Sequence, residues 1–229
     1  MSEAPQQLSA QQKSTEAFWE AHYGARDQVW SGRPNAHLVT VAGPLAPGTA
    51  LDLGAGEGGD ALWLAGRGWR VTAVDVSPTA LDRLAARAAE AGVEVAVERH
   101  DLAATFPAGR FDLVSAQFLQ SPIEFPRDDV LRRAAAAVAP GGLLLVVAHL
   151  TVPPWARAAP DDRAGHGHGH GHLPQFPTAE ETLEELRRDP GWDGAAWTVE
   201  HAGAAERAIT GPDGETATIS DSLLALRRT

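Results

Sequence analysis

Leu51-Asp52-Leu53-Gly54-Ala55-Gly56-Glu57-Gly58-Gly59-Asp60 is the stretch on which the fold turns. It starts as a short apolar strand, bends through closely spaced glycines and opens a helix. Glycine lets a backbone adopt positive φ and approach a ligand closely. The N–H groups at a helix start favour an anionic group. Gly54, Gly56 and Gly59 also satisfy the dinucleotide fingerprint G-x-G-x-x-G, with Asp75 as the acidic residue about 20 positions on. A carboxylate there suits ribose hydroxyls under any adenosine-cofactor reading, because it only accepts hydrogen bonds. A tight turn without a ligand is the bland alternative.

Working outward, strand and helix alternate. A strand over about 50–53 is followed by a helix over about 58–67, then a strand over 70–75. Ser77-Pro78 is a helix start, a hydroxyl cap followed by proline, and that helix ends at Gly92. Strands are expected at about 93–97, 111–116 and 143–149, with a helix over about 128–138 ending at Pro140-Gly141-Gly142. Upstream, a helix over about 13–23 precedes a Trp/Gly/Pro stretch, and Asn35 caps a short helix running to about Ala42. Downstream, Thr178-Ala179-Glu180-Glu181 is a capping box opening a helix to about Arg188. Strand-like runs near 196–201, 206–210 and 216–226 follow, with a turn at Gly211-Pro212-Asp213-Gly214. Apolar strands alternating with helices imply a parallel sheet covered on both faces, with an antiparallel end.

Taken together these motifs resemble the class I S-adenosylmethionine-dependent methyltransferases over about 45–150, and more loosely to the C-terminus. Asp52 two residues before Gly54 matches that family's acidic-x-Gly-x-Gly-x-Gly loop. Asp75 closes the second strand, and His100-Asp101-Leu102 follows the third. Phe111-Asp112-Leu113-Val114 matches the fourth-strand signature, and Pro140-Gly141-Gly142 the approach to the fifth. A nicotinamide dehydrogenase accounts for the first two strands but not for Asp101, the Pro-Gly-Gly element or the tail. Phe18-Trp19, Tyr23 and Val29-Trp30-Ser31-Gly32-Arg33-Pro34-Asn35 are similar to the N-terminal segment of small tellurite-resistance and thiopurine-type members, which folds over the cofactor.

The resemblance implies a three-layer, doubly wound, mostly parallel seven-stranded sheet of Rossmann-like type whose last strand is antiparallel. It implies one domain over 13–229, with a lid at 13–45, a His/Gly/Pro-rich insertion at 151–177 and a disordered tail at 1–12. On the cofactor, S-adenosylmethionine, it places Gly54, Ala55 and Gly56 against the methionyl part and Asp52 near its ammonium. Asp75 and Val76 go to the ribose, Asp101 and Leu102 to the adenine. Arg33 or the backbone around Trp30 takes the carboxylate, and Gln117 completes the set. A methyl sulfonium is already activated, so direct in-line transfer needs no covalent intermediate.

Ligands bind at the carboxyl edge of open α/β sheets. That makes Phe118, Gln120 and Trp155 the substrate-side candidates, with Tyr23 and His37 as outsiders, and His149 a candidate general base. The bland reading of His149 is a strand-end histidine bound to backbone. His166, His168, His170 and His172 alternate with glycine in a low-complexity stretch. They are candidate ligands for a divalent transition metal; a solvated loop and a pH-responsive loop are the rival readings.

Composition sets the exclusions. The chain has 229 residues and a net charge of −11, which leaves no electrostatic footprint for nucleic acid or an anionic membrane. It has no cysteine, which removes disulfides, thiolate metal sites and cysteine nucleophiles. No signal segment or apolar run of spanning length is visible, so a cytoplasmic location is expected. The expected partner is a small-molecule methyl acceptor. A non-catalytic module binding the cofactor or a metal is the rival class, and the sequence leaves the oligomeric state open.

Overall fold

The computed structural model describes residues 10–155, 176–211 and 213–229. In chain order the elements are α1 Ala10–Gly24, α2 Ala36–Ala42, β1 Thr49–Leu53, α3 Gly59–Gly66, β2 Arg70–Asp75, α4 Pro78–Ala91, β3 Val95–Arg99 and β4 Phe111–Gln117. Then come α5 Arg127–Ala136, β5 Val138–His149, α6 Ala179–Arg187, a 3-10 turn at Gly194–Ala196, β6 Trp197–Thr210 and β7 Thr216–Arg228. The seven strands are ordered β3-β2-β1-β4-β5-β7-β6. The expected mixed α/β sheet, mostly parallel with an antiparallel end, is therefore what the chain forms. Two compact units divide it: Met1–Pro34 with Pro47–Gly109, and Asn35–Ala46 with Arg110–Thr229.

In the first unit β1 pairs β2 and β2 pairs β3, all parallel. Buried Ala50, Leu51, Leu53, Val71, Ala73 and Val74 make the middle of both strands largely apolar, as expected of parallel strands covered on two faces. The caps read from the sequence hold: the Ser77 hydroxyl accepts from Ala80 N, and Gly92 closes α4 in the left-handed region. The third strand begins two residues later than expected. The amide of Val93 is occupied by the carbonyl of Ala88, at 3.0 Å, in the terminal turn of the helix, so the ladder cannot start there.

In the second unit β4 runs parallel to β5, while β7 is antiparallel to both β5 and β6. The capping box at Thr178 and Glu181 forms in full. Two boundaries differ from expectation. Helix α5 stops at Ala136, and β5 begins at Val138, so Pro140-Gly141-Gly142 lies inside a strand instead of ending a helix. The strand absorbs it as an irregularity, since Phe111 is opposite Val138 while Leu113 is opposite Leu143. A Cβ at Gly142 would sit 2.8 Å from Ala139 O and 2.9 Å from Phe111 O, which explains the glycine. The runs near 196–201 and 206–210 are one strand, β6, because the small residues between them pair continuously with β7. Across β5 and β7 the register sets His149 opposite Asp221.

Candidate functional site

The first unit gathers most of the cofactor candidates around the glycine loop. The carboxylate of Asp75 ties this loop to the end of β2: Oδ2 accepts from Gly56 N at 2.9 Å and Oδ1 from Ser77 N at 3.0 Å. Ala55 N donates to Val74 O at 2.9 Å. Val76, half-buried, follows directly. Asp52 is 2% exposed, and its Oδ2 has no hydrogen-bond partner. Burial, then the neighbouring charges of Asp60 and Asp75, push the Asp52 carboxyl well above the ordinary range. Burial likewise raises Asp75, against the pull of its backbone donors. Past β3, Asp101 Oδ1 accepts from Ala103 N at 3.0 Å, and its Oδ2 is buried without a partner. Leu102 beside it is buried.

The N-terminal segment meets the same loop. Tyr23, expected on the substrate side, is buried in the first unit with its hydroxyl against Gly56, where a Cβ would lie 2.7 Å from it. The loop glycine thus makes room for the chain's own phenol. Trp30 Nε1 donates to that hydroxyl at 3.1 Å, while its ring remains half exposed. Gly59 plays a similar part, since a Cβ there would stand 2.7 Å from the Arg33 carbonyl. The Arg33 side chain is exposed.

Glu57, which the sequence reading quoted without a role, fastens this arrangement. Only 3% exposed, it accepts from Val29 N and Trp30 N and from Arg83 Nη1 at 2.9 Å. Burial raises its carboxyl, but those amides and Arg83 outweigh it and hold Glu57 below its ordinary range. Arg87 adds bonds to the carbonyls of Glu57 and Gly32. Glu20, on α1, accepts from Ser77 Oγ at 2.6 Å and from the Thr79 hydroxyl. A charged residue flanked by loop glycines was the available signal for Glu57; nothing local singled out Glu20, Arg83 or Arg87.

The second unit holds the remaining candidates. Gln117, the last residue of β4, donates from Nε2 to Ser115 Oγ at 3.0 Å, and its buried Oε1 has no partner. Phe118 follows with φ 52, positive for a non-glycine residue. Its ring stacks on His149 with centroids 4.2 Å apart, and the Arg207 guanidinium lies 5.2 Å from its centre. Gln120 Oε1 accepts from His149 N at 3.1 Å. His37 and His149, one expected as an outsider and the other as a base, converge on Asp221, which is 0% exposed. His37 Nε2 is 3.1 Å from Oδ2, and His149 Nδ1 is 3.6 Å from Oδ1. Arg207 Nε donates to Oδ2 as well. Burial raises the Asp221 carboxyl, yet its contacts with His149, His37 and Arg207 carry it far below the ordinary range. Trp155 is half-buried at the limit of the described residues. His166, His168, His170 and His172 lie outside them. Among the described residues no group of three or more His, Asp or Glu is placed to hold a metal ion.

Comparison with known proteins bears on the family and the fold. A family model for a methyltransferase domain matches residues 50–142. The ubiquinone biosynthesis O-methyltransferase of Methylobacterium sp. (strain 4-46) is 42% identical over 103 residues, 44% of this chain and 40% of that protein. The matched stretch thus spans about two fifths of that relative's length. A structure solved in work on the conversion of a disulfide bond into a thioacetal group during echinomycin biosynthesis superposes with a TM-score of 0.70. The two are 26% identical, with 93% of this chain and 92% of that one covered. TehB from Haemophilus influenzae shares the fold at a TM-score of 0.63 and 18% identity, over 92% of this chain and 67% of that one.

Proposed function

We propose that this chain, whose residues 50–142 match a methyltransferase-domain model, is a class I methyltransferase whose first unit binds S-adenosylmethionine and which methylates a small molecule. The observation that carries this reading is the buried, unpartnered oxygen of Asp52, set in the field of Asp60 and Asp75 behind the glycine loop. A pyrophosphate brought to such a loop meets negative charge and is repelled, which counts against a nicotinamide dinucleotide. An ammonium or sulfonium is attracted.

The donor set suits the cofactor group by group. Asp52 receives the ammonium. Asp101 Oδ2 accepts from the adenine amino group. Asp75 accepts from the amides of Gly56 and Ser77, and as an acceptor-only carboxylate it would also receive the ribose hydroxyls. Tyr23 and Trp30, held by Glu57, cover the loop and keep water from it. When bound, the cofactor supplies a methyl group already activated as a sulfonium. The protein contributes alignment and exclusion of water, and alignment alone is worth roughly 7–11 kcal/mol.

A small-molecule acceptor is supported by the name of the Methylobacterium relative over the shared stretch and by the net charge of −11, which repels a polyanion. Calorimetry with S-adenosylhomocysteine and with NAD tests the proposal. Saturable binding of the former alone is expected, weakened in Asp101→Ala. Binding of NAD, or of neither, would overturn it.

A further inference from the structure

We propose that the Tyr23 hydroxyl donates a hydrogen bond to the carboxylate at the amino-acid end of the methyl donor, the role the sequence offers to Arg33 or to the backbone around Trp30. The proposal rests on the methyl-transfer reading above and lies wholly within the first unit. It comes from a buried phenol whose proton is unused.

Tyr23 is 4% exposed. Its oxygen accepts from Trp30 Nε1 at 3.1 Å, and among the described residues no acceptor is within reach of its own proton. That oxygen lies against the glycine loop, 2.7 Å from where a Cβ of Gly56 would stand. Burial, and after it the charge of Asp75, push the phenol up against the pull of Trp30, so Tyr23 keeps its proton at neutral pH. A buried donor with no acceptor is a cost to the fold, and a ligand that brings an acceptor removes it.

Neighbouring donors are already spent. In the loop, Ala55 N donates to Val74 O, Gly56 N to Asp75 and Gly58 N to Ala55 O. Val29 N and Trp30 N donate to Glu57. Arg83 is taken by Glu57 and by the carbonyl of Arg26, and Arg87 by the carbonyls of Glu57 and Gly32. The Arg33 side chain is exposed, with its carbonyl, not its guanidinium, turned to the loop at Gly59. The Tyr23 proton is left.

The chemistry of the ligand selects the group it meets. An ammonium and ribose hydroxyls bring donors, which suit Asp52 and Asp75. A carboxylate brings only acceptors and needs a donor. The field of Asp52, Asp60 and Asp75 decides which donor is compatible. A guanidinium placed there would pair with Asp52 and compete with the ammonium for it. A phenol shares a proton without adding charge, so Asp52 stays open. Glu57 supports this at one remove. It holds Trp30 N, and Trp30 Nε1 in turn fills one lone pair of the phenol oxygen, which directs the O–H elsewhere.

The test uses the full chain, in which Tyr23 is the single tyrosine. A carbon-13 label at tyrosine Cζ therefore gives one signal. In the wild type that signal should move downfield on adding S-adenosylhomocysteine. It should move far less with S-adenosyl-3-thiopropylamine, which keeps adenosine, sulfur and ammonium but lacks the carboxylate. By calorimetry, Tyr23→Phe should weaken S-adenosylhomocysteine about tenfold, the worth of one hydrogen bond to a charged group, and leave the amine within about twofold. Should Tyr23→Phe fail to fold, the wild-type signal decides. Equal movement with both ligands, equal losses on both, no loss on either, or a loss confined to Arg33→Ala each overturns the proposal while the methyl-transfer reading stands. If S-adenosylhomocysteine does not bind the wild type, that reading falls and this proposal falls with it.

Discussion

Asp52 and Asp221 are equally hidden from solvent, yet their surroundings are opposite. Asp52 lies near the end of a parallel strand of the first unit with one oxygen unpartnered, and its burial and two like charges nearby push its carboxyl up. Asp221 sits in an antiparallel strand of the second unit among an arginine and two histidines, and is held down. A buried carboxylate among like charges is costly unless something from outside supplies a positive partner. One whose donors are built in is part of the architecture. Both carboxylates keep one buried oxygen without a hydrogen-bond partner, so the comparison teaches that burial and an unfilled valence are not enough; what differs is the charge around them, negative at Asp52 and positive at Asp221.

The contrast can be broken by mutation. The largest effect is expected at Asp221: replacement by alanine strands the Arg207 charge and should cost about 3–5 kcal/mol of folding stability, read by urea unfolding. Because the Asp221 carboxyl is held low, its contribution is complete above the ordinary carboxylate range and is lost as pH falls through and below it. Glu57→Gln should cost about 1.5–3 kcal/mol by weakening charge-assisted bonds to Val29, Trp30 and Arg83. The sign with pH is the same, since Glu57 is also depressed. A Glu57 variant as stable as wild type would show that the N-terminal segment is held by other means.

Asp52→Asn should move the two measurable quantities apart. With no ligand the protein should melt higher at neutral pH, because a carboxyl raised by burial and by Asp60 and Asp75 destabilises the fold once it ionises. Affinity for S-adenosylhomocysteine should drop by about 1.5–3 kcal/mol, the worth of a hydrogen bond to a charged group. In the wild type that affinity should rise with pH above the ordinary carboxylate range, as Asp52 gives up its proton to meet the ammonium. A destabilised Asp52→Asn would erase the distinction from Asp221. The smallest effect is expected at Asp101→Ala, about 0.5–1.5 kcal/mol of affinity from one hydrogen bond, measured by calorimetry.

The first unit was the more legible in sequence because its signals are local. Gly54, Asp75, Ser77-Pro78 and Gly92 each punctuate an element at the point where they occur, and β2 falls on its expected bounds. Asp52, Asp75 and Asp101 are likewise read from their offsets to strand ends. The second unit depends on pairings between distant segments. Pro140-Gly141-Gly142 looks like a helix stop in isolation, and only its pairing with β4 turns it into a strand irregularity. Asp221, between two serines in β7, looks like one more polar position of an alternating strand. Pairing with β5 is what brings His149 opposite it, and α2 brings His37 from 184 residues away. The contact of Tyr23 with the glycine loop is likewise invisible locally, because sequence spacing does not tell which loop a helix will meet.

Phe118 carries one more implication. Its left-handed backbone costs on the order of 1 kcal/mol for a residue with a bulky side chain, and glycine would relieve it. Glycine would also remove the ring that stacks on His149. Phe118→Gly therefore sets relief of backbone strain against the loss of a ring stack, and the sign of its effect in urea unfolding tells which of the two weighs more.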